Sequence, residues 1–391
     1  MKKCTALLLL LIGSFAFSQE KFTVSGIVTE EETGETLFGA NVLIPELQIG
    51  TVTNEYGFYS ITLPEGDLEI VFSSLGYATE KQQVSLEKNL KINISLKSDT
   101  QSLDEVVILA DAEKLNIRSS QMSSNTLSAN TIKKIPVVLG EVDLLKSITL
   151  LPGVTSAGEG ASGFNVRGGA ADQNLILLDE ATLYDSSHLF GFFSVFNPDA
   201  IKDLTLYKGA IPARYGGRIS SVLDIYQKDG NKKEYRATGG IGLIASRLLL
   251  EGPIIKDKAS FLLGGRSSYA HLFLPLFGND NTAYFYDLNT KLSYNLNDNN
   301  QLFLSGYFGR DVFKISESFS NSFGNTTLNL RWNHLFSDRL FSNLSAIYSD
   351  YYFGLELQMV GFEFVSGITN FNMKYDFTHY LSNTVDVRYG I

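Results

Sequence analysis

Two stretches decide the fold: GFNVRGGAADQNLILLDE at residues 163–180 and LYKGAIPARYGGRISSVLDI at residues 206–225. The first contains a short apolar run, 176–178, that ends at Asp179 and Glu180, as a buried strand does. Further strands are predicted around Leu204 and Leu206 and around Val222, Leu223 and Ile225. No helical pattern of useful length occurs within these residues, so they predict a small, loop-rich α/β unit.

Glycine pairs punctuate this unit at Gly168–Gly169 and Gly216–Gly217. Glycine adopts backbone conformations that a side chain forbids, so both pairs predict tight turns beside the strands. On these residues alone the role of the unit is undetermined.

The motifs FNVRGG, NLILLDE and LYKGAIPARYGG resemble the plug domain of TonB-dependent outer-membrane transporters, particularly those of the Bacteroidetes type. The resemblance implies a plug at residues 113–228 whose architecture depends on a set of Gly, Arg and Asp residues. They are Arg167, Gly168, Gly169, Asp179, Arg214, Gly216, Gly217 and Arg218.

In the resembled plugs, arginines of this kind pair with carboxylates of the inner barrel wall, and such pairs are strong yet releasable. Asp287 and Asp376 are candidate partners on the wall for Arg167, Arg214 and Arg218. The alternative is that the three arginines are ordinary solvated charges.

Composition narrows the class of protein. Of the 391 residues 19% are charged, against about 25% in a typical soluble chain. The net charge of −10 argues against nucleic acid as a partner. Past the N-terminus no run of about 18 apolar residues occurs, so a transmembrane helix is not expected.

Residues 1–18 read as a secretory signal peptide. Lys2 and Lys3 give the positive start, residues 7–12 the apolar core, and Ala16-Phe17-Ser18 the cleavage site. The only cysteine, Cys4, would leave with this leader, so no disulfide and no Cys-ligated metal are expected in the mature chain.

Residues 19–98 predict a small all-β domain, because short alternating runs are separated by turn residues. The segments GIVTEEETGETLFGANVLI, TNEYGFYSITLPEG and SSLGYA resemble the carboxypeptidase regulatory-like domain, a transthyretin-like β-sandwich. This domain often precedes the plug in Bacteroidetes transporters, which implies a structural or regulatory role.

The linker at residues 99–112 contains SLDEVVIL. One interpretation is a further edge strand of the sandwich. The other, which the resemblance supports, is a TonB box formed by Leu103, Asp104, Glu105, Val106, Val107 and Ile108. An extended segment of this kind can add itself to the sheet edge of the TonB C-terminal domain by β-augmentation.

Enzymatic and nucleotide-binding functions are not expected. Gly158, Gly160 and Gly163 spell GxGxxG, but they follow Pro152-Gly153 rather than a strand and lead into FNVRGG rather than a helix. The four histidines are scattered without HExxH spacing, and no GxSxG elbow occurs. No cofactor or metal site is therefore predicted.

Residues 229–391 carry the clearest periodicity. In 284–296, 328–333 and 371–378, aromatic and apolar residues alternate with fully polar ones. Short polar turns at Lys256-Asp257, Asp298, Ser337-Asp338 and Ser382 alternate with connections near 274–282, 315–324 and 351–366, which are predicted to be longer. This rhythm is typical of outer-membrane barrels, with the short turns on the periplasmic side.

About eight strands are expected by Ile391, whereas plugged transporters have about 22. A half barrel leaves unpaired edges that lipid does not tolerate, so the chain is interpreted as a fragment of a longer protein. The predicted fold is mainly β: a transthyretin-like sandwich, a small α/β plug and an incomplete transmembrane antiparallel β-barrel.

The resemblance implies TonB-dependent transport of a large or scarce nutrient across the outer membrane, in the siderophore-iron, cobalamin, glycan or peptide class. The N-terminal domain and TonB box would be periplasmic, and the partners would be TonB, outer-membrane lipid and the nutrient. The alternatives are a ligand-binding or signalling receptor, or a SusC-like glycan importer with a SusD-like lipoprotein. The sequence motifs of the plug are more similar to those of the general transporter branch than to those of the SusC-like one.

Overall fold

The computed structural model describes residues 20–99, 123–133, 142–158, 163–278, 281–315 and 318–391. The predicted signal peptide and the predicted TonB box at 103–108 lie outside the described residues. Within those ranges no helix is long and apolar enough to cross a membrane.

The N-terminal domain (residues 20–99) is a two-sheet sandwich. Its strands are β1 (Lys21–Glu30), β2 (Asn41–Ile44), β3 (Ile49–Val52), β4 (Phe58–Pro64), β5 (Gly66–Ser73), β6 (Glu80–Leu86), β7 (Leu90–Lys91) and β8 (Ile94–Leu96). One sheet has the order β3-β2-β5-β6, and in the other β1 pairs with β4, β7 and β8. Alternating residues such as Val24, Ile61 and Phe72 fill the core between the sheets.

One feature of the sandwich differs from the expected antiparallel arrangement. Strand β1 pairs in parallel with both β7 and β8. Strands β3 and β6, which sequence alternation did not single out, complete the other sheet. Strand β6 is largely exposed, and its EKQQVSL sequence lacks the apolar alternation of its neighbours.

The plug (residues 123–227) is the predicted small α/β unit. Its elements are β9 (Ser124–Ser128), α1 (Ala129–Lys133), α2 (Leu144–Ile148), β10 (Val154–Ser156), β11 (Phe164–Val166), β12 (Asn174–Leu178), β13 (Ala181–Thr182), β14 (Ser187–His188), β15 (Phe193–Ser194), β16 (Ile201–Tyr207) and β17 (Ser221–Gln227). The main sheet has the order β13-β12-β17-β16-β9, with β12 parallel to β17. The three strands predicted from the apolar runs are confirmed as β12, β16 and β17.

Local chemistry fixes the ends of these elements. The Asp143 side chain caps α2 by accepting hydrogen bonds from the amides of Leu145 and Lys146. Gly163 leads into the strand β11 and not into a helix, as expected, but the strand β10 precedes Gly158, so the expectation that no strand leads into these glycines is wrong. Residues 159–162 lie outside the described residues. Gly168 has φ 83°, and a Cβ on Gly169 would lie 2.2 Å from Ser220 Oγ, so both glycines are required at this turn.

The remaining strands form one antiparallel sheet, called the wall below. They are β18 (Arg236–Ile241), β19 (Ala245–Ile255), β20 (Ala259–Ser268), β21 (Thr282–Asn297), β22 (Asn300–Ile315), β23 (Phe319–Ser337), β24 (Leu340–Leu357), β25 (Phe362–Ser382) and β26 (Val385–Gly390). Each strand pairs with its neighbours in sequence. The described residues thus contain nine wall strands, one more than the sequence count.

The connections between the wall strands confirm the predicted short turns, but not all of the predicted longer connections. Tight turns occur at 256–258, 298–299, 338–339 and 383–384, and we call this edge of the wall the short-turn end. At the opposite end, the longer connection predicted near 274–282 is confirmed, because β20 ends at Ser268 and β21 begins at Thr282. The longer connections predicted near 315–324 and 351–366 are wrong. Strands β22 to β25 continue through those residues and leave only 316–318 and 358–361 between them, because the Gly-, Asn- and Ser-containing segments still pair in register, as in Asn321↔Leu355.

The wall turns its polar face inward. Asn289, Lys291 and Asn329 are at most 2% exposed, whereas Leu328 and Leu330 are about half exposed. This is the reverse of a soluble sandwich, in which the polar face meets water. The inversion fits strands with an apolar face toward lipid and a polar face toward a lumen, which the plug occupies here.

Candidate functional site at the plug and wall interface

The plug meets the wall first through the LLDE motif at the end of β12. Asp179 and Glu180 both have positive φ, 46° and 71°, so the chain turns sharply here. Oδ1 of Asp179 lies 3.3 Å from Lys291 Nζ on β21, and Lys291 also lies 3.0 Å from Asp229. The Asn329 side-chain amide donates to the Asp179 carbonyl at 2.6 Å. A buried wall cation is thus held between two plug-side carboxylates.

Glu180 makes the second contact of this turn. Its carboxylate accepts from the Asn343 amide at 2.9 Å and from the Ser345 hydroxyl, both on β24. Lys374 on β25 lies 3.9 Å away. Burial opposes ionisation of this group, but Lys374, Arg331 and the hydrogen bond from Ser345 outweigh it and lower the pKa of the Glu180 carboxyl.

His188 forms a third contact, at the opposite end of the plug from the short turns. Its Nδ1 lies 2.6 Å from Asp311 and its Nε2 3.1 Å from Asp287, and both carboxylates belong to the wall. The ring stacks on Phe285 with centroids 4.2 Å apart. Burial alone would lower the pKa of His188, but the two carboxylates outweigh it and raise the pKa of the imidazole.

Arg214 lies in a buried cluster between the plug and the N-terminal domain. Its guanidinium forms a bidentate pair with the Glu55 carboxylate, and Tyr215 donates to Asp224 at 2.6 Å. Burial would raise the pKa of Glu55, but Arg214 outweighs it and lowers the pKa to about 2. Asp224 has the opposite response, because burial and the nearby Glu55 charge raise its pKa to about 7.

The expected pairing of plug arginines with wall carboxylates differs from the contacts found. Arg214 pairs with Glu55 of the N-terminal domain. Arg167 donates to Ser123 Oγ at 3.2 Å within the plug, and Arg218 donates to the carbonyl of Gly217.

The two wall carboxylates proposed as partners bind other groups. Asp287 is held by Arg266 of the neighbouring strand and by His188, while Asp376 lies 2.8 Å from Lys374. At the LLDE turn the polarity is reversed with respect to the expectation: the plug supplies the acids and the wall the bases. The physical reason is position, since Asp179 and Glu180 end a strand that points at the wall.

The remaining predicted plug residues have backbone roles. Gly168 and Gly217 have positive φ, Gly169 is packed against Ser220, and a Cβ on Gly216 would meet open space. Glu180, His188 and Lys291 were not singled out from the sequence as site residues. Glu180 is adjacent to Asp179 in the quoted motif, and Lys291 lies on the polar face of an alternating strand. The sequence could therefore have indicated both as site residues.

The arrangement is suited to holding the plug against the wall. Its contacts are charge-assisted hydrogen bonds in a water-poor interface, which are strong but can exchange partners. Within the described ranges no group of three or more His, Cys, Asp or Glu side chains is placed to hold a metal ion.

Comparison with known proteins agrees with the architecture. Residues 24–108 match the CarboxypepD_reg-like domain, and residues 116–222 match the TonB-dependent Receptor Plug Domain. The first match includes residues 103–108 of the predicted TonB box.

Two curated relatives cover 57% of this chain. The TonB-dependent receptor SusC of Bacteroides thetaiotaomicron is 31% identical over 242 residues, and the TonB-dependent receptor P39 of Formosa agariphila is 28% identical over 235. The chain spans only 23% and 21% of their lengths.

Solved structures show the same fold at low identity. The FrpB iron transporter of Neisseria meningitidis superposes with a TM-score of 0.52 at 12% identity, over 69% of this chain and 48% of that one. The ferric enterobactin receptor of Pseudomonas aeruginosa gives 0.50 at 14% identity, over 66% and 47%. The chain thus carries a CarboxypepD_reg-like domain followed by a TonB-dependent Receptor Plug Domain, and over these residues it is similar to TonB-dependent receptors. With the solved transporters it shares the fold.

Proposed function

We propose that the protein is a TonB-dependent transporter that imports a nutrient across the outer membrane, with the plug as the gate of the channel. The observation that carries the proposal is the buried, charged plug–wall interface, which closes a lumen by contacts that can be exchanged. The proposal places the signal peptide at 1–18, the TonB box at 103–108 and the N-terminal domain in the periplasm.

The coupling step follows from backbone chemistry. A strand added to the edge of TonB transmits force along its own axis through N–H and C=O pairs. TonB binding to residues 103–108 would then draw the linker away from the wall and disturb the plug contacts at Asp179, Glu180 and His188. Ligand binding outside would bias the protein toward the TonB-bound state, which is a population shift.

The likeness to SusC favours one substrate class within this proposal. That relative is 31% identical over 57% of this chain, and this likeness supports the SusC-like branch, although the plug motifs are more similar to the general transporter branch. We therefore favour a glycan imported together with a SusD-like lipoprotein. Copurification of a SusD-like lipoprotein with the full-length protein supports this choice, and its absence together with uptake of a ferric siderophore contradicts it.

The coupling test uses the full-length protein and the purified C-terminal domain of TonB as the probe. Val106→Pro removes an N–H that pairing requires, whereas Val106→Ala keeps it. We expect Val106→Pro to weaken TonB binding at least about tenfold, the equivalent of roughly 1.4 kcal/mol, with little change in Val106→Ala. Equal binding of TonB by both variants and the wild type would contradict a coupling role for residues 103–108.

The transport test compares cells that carry wild-type protein with cells that carry Val106→Pro. A ferric siderophore, cobalamin, a neutral oligosaccharide and a short peptide are offered as labelled compounds. Uptake of one of them by the wild type alone, with equal surface binding in both, is the expected result. Equal uptake by the two strains would contradict TonB-dependent import.

A further inference from the structure

The N-terminal domain is seated on the short-turn end of the wall. Lys91 Nζ donates to the carbonyl of Asp298 at 2.6 Å and to Asn299 Oδ1 at 2.8 Å. Asn89 and Ser25 donate to the two carboxylate oxygens of Asp338, each at 3.2 Å. The domain thus contacts two successive turns of the wall.

A third turn is engaged through the backbone. The Asn383 amide side chain accepts from the amide of Thr62 at 2.8 Å and donates to the Thr62 carbonyl. Arg339 Nε also donates to Thr23 Oγ1 at 2.8 Å. Together these turns bind one sheet of the sandwich, formed by β1 and β4 and by the strand β7 beside them.

Apolar packing supports this polar contact. Phe58 of β4 is 1% exposed although it belongs to the face of the sandwich that points away from the domain core. Its ring stacks on Phe341 of β24 at 5.8 Å and meets Tyr380 of β25 edge-on at 5.9 Å. Burying an aromatic side chain here removes apolar surface from water and stabilises the contact by the hydrophobic effect.

The turn at residues 54–57 extends from this contact toward the plug. Glu55 pairs with Arg214 of the plug, and Tyr56 donates to Glu180 Oε1 at 3.0 Å. The Tyr56 ring also stacks on Phe341 at 5.1 Å and lies under the Arg331 guanidinium at 5.0 Å. One turn of the N-terminal domain therefore touches both the plug and the wall.

We propose that the N-terminal domain is a second restraint on the plug. It acts through a docking surface formed by the wall turns at 298–299, 338–339 and 383 and by Arg214 and Glu180 of the plug. The domain closes the short-turn end and must leave before the plug can. The inference rests on the proposed function for its consequence in transport. Residues 100–122 join the domain to the plug and include the predicted TonB box. A force on this linker therefore acts on both the docked domain and the plug–wall contacts.

Docking is tested by cross-linking in outer-membrane vesicles of the full-length protein. Cys4 is the only cysteine among residues 1–391, and any cysteine of the full-length protein outside them is first replaced by serine, so that an engineered pair can be assigned directly. Ser25→Cys with Asp338→Cys joins the domain to the wall, and Thr62→Cys with Asn383→Cys is a second pair at another turn. Glu69→Cys with Gln83→Cys, directly opposite each other on β5 and β6 within the domain, is the matched control. Cross-links at either wall pair, at a yield near that of the control, are expected; their absence at both pairs overturns the docking.

The restraint is tested by hydrogen exchange of plug residues 174–180 and 221–227 in the uncross-linked protein. Glu55→Gln removes the charge that Arg214 faces, and Glu69→Gln on the exposed side of the domain is the control. We expect about tenfold faster exchange in Glu55→Gln alone, the equivalent of one charge-assisted hydrogen bond. Unchanged exchange overturns the restraint whether or not the protein imports anything.

Transport then separates this inference from the proposed function. The wall cross-link should abolish uptake of the compound that the wild type imports, and a reductant should restore it, while the control pair imports normally. Full uptake through the cross-linked protein overturns the need for the domain to leave. A protein that imports nothing even when reduced contradicts the proposed function instead, and leaves the exchange result standing.

Discussion

Lys291 Nζ lies 3.3 Å from Oδ1 of Asp179, which joins the wall strand β21 to the end of the plug strand β12. The same ammonium group lies 3.0 Å from Asp229 and donates to the carbonyl of Gln227 at 2.8 Å. The lysine is 1% exposed, so water contributes little and these groups compensate its charge. One wall residue therefore fixes two segments of the plug.

Lys291→Met should loosen the plug strongly. The substitution keeps most of the volume but leaves two buried carboxylates without their cation, which costs about 3–5 kcal/mol when a buried pair is broken from one side. Chemical unfolding of the detergent-solubilised protein, followed by exchange of residues 174–180, measures the loss. Lys256→Met, at an exposed wall turn, should change stability by less than about 0.5 kcal/mol. Equal effects of the two variants would contradict the role given to Lys291.

The contact of His188 with Asp287 and Asp311 should make plug stability depend on pH. Its folded pKa is raised by the two carboxylates, so the contribution is complete below the unfolded value of about 6.5 and is lost as pH rises through the folded pKa. Arg266 and the Tyr307 hydroxyl also face this cluster. The wild type should therefore lose its stability advantage over His188→Gln as pH rises.

Melting temperatures of the two proteins across pH 6 to 10 measure this difference. His379→Gln, on β25 and away from the plug, is the control and should follow the wild type at every pH. A constant gap between wild type and His188→Gln over the whole range would contradict a charged imidazole in this contact.

Much of the fold follows from local sequence patterns, whereas the partners of the charged groups do not. The run at 176–178 and the alternation along β21 predict their elements because each depends on residues a few positions apart. The pairing of Arg214 with Glu55 joins residues 159 positions apart, across two domains. No periodicity encodes such a contact, so the sequence led instead to a carboxylate of the wall.

The prediction of two longer connections in the wall was wrong for a related reason. Gly, Asn and Ser near 315–324 and 351–366 indicate turns when they are considered locally. In the sheet these residues still find ladder partners on both neighbouring strands, as Gly354 does opposite Ser322 and Val365. Pairing along the whole length of long neighbours overrides the local preference, as tertiary context generally does for strand propensity.

Asp224→Asn should stabilise the plug at neutral and higher pH. Burial and the Glu55 charge raise the pKa of Asp224 to about 7. The folded protein therefore keeps a proton on this carboxyl that the unfolded chain releases near pH 4. The destabilisation therefore grows from about pH 4 to pH 7 and is complete above pH 7. Asparagine has no charge to bury and can still accept from the Tyr215 hydroxyl.

The melting temperature of Asp224→Asn should exceed that of the wild type at pH 8, and the gap should shrink by pH 5. Asp257→Asn, at an exposed wall turn, serves as the control and should show no such gap. A wild-type protein that is the more stable of the two at pH 8 would contradict this, because the surroundings would then stabilise the ionised carboxylate of Asp224.

The outward face of the wall supplies the last prediction, because its effect depends on depth in the membrane. Leu330, near the middle of β23, is 53% exposed, and Phe364, toward the far end of β25 from the short turns, is 47% exposed. A strand of 9–11 residues suffices to cross the hydrocarbon, and these strands are 19 and 21 residues long, so Phe364 should lie outside it. Folding of the full-length protein into lipid vesicles should lose about 2–4 kcal/mol in Leu330→Arg and at most about 1 kcal/mol in Phe364→Arg. Equal losses would mean that Leu330 does not face the hydrocarbon, because a water-exposed position tolerates arginine at either depth.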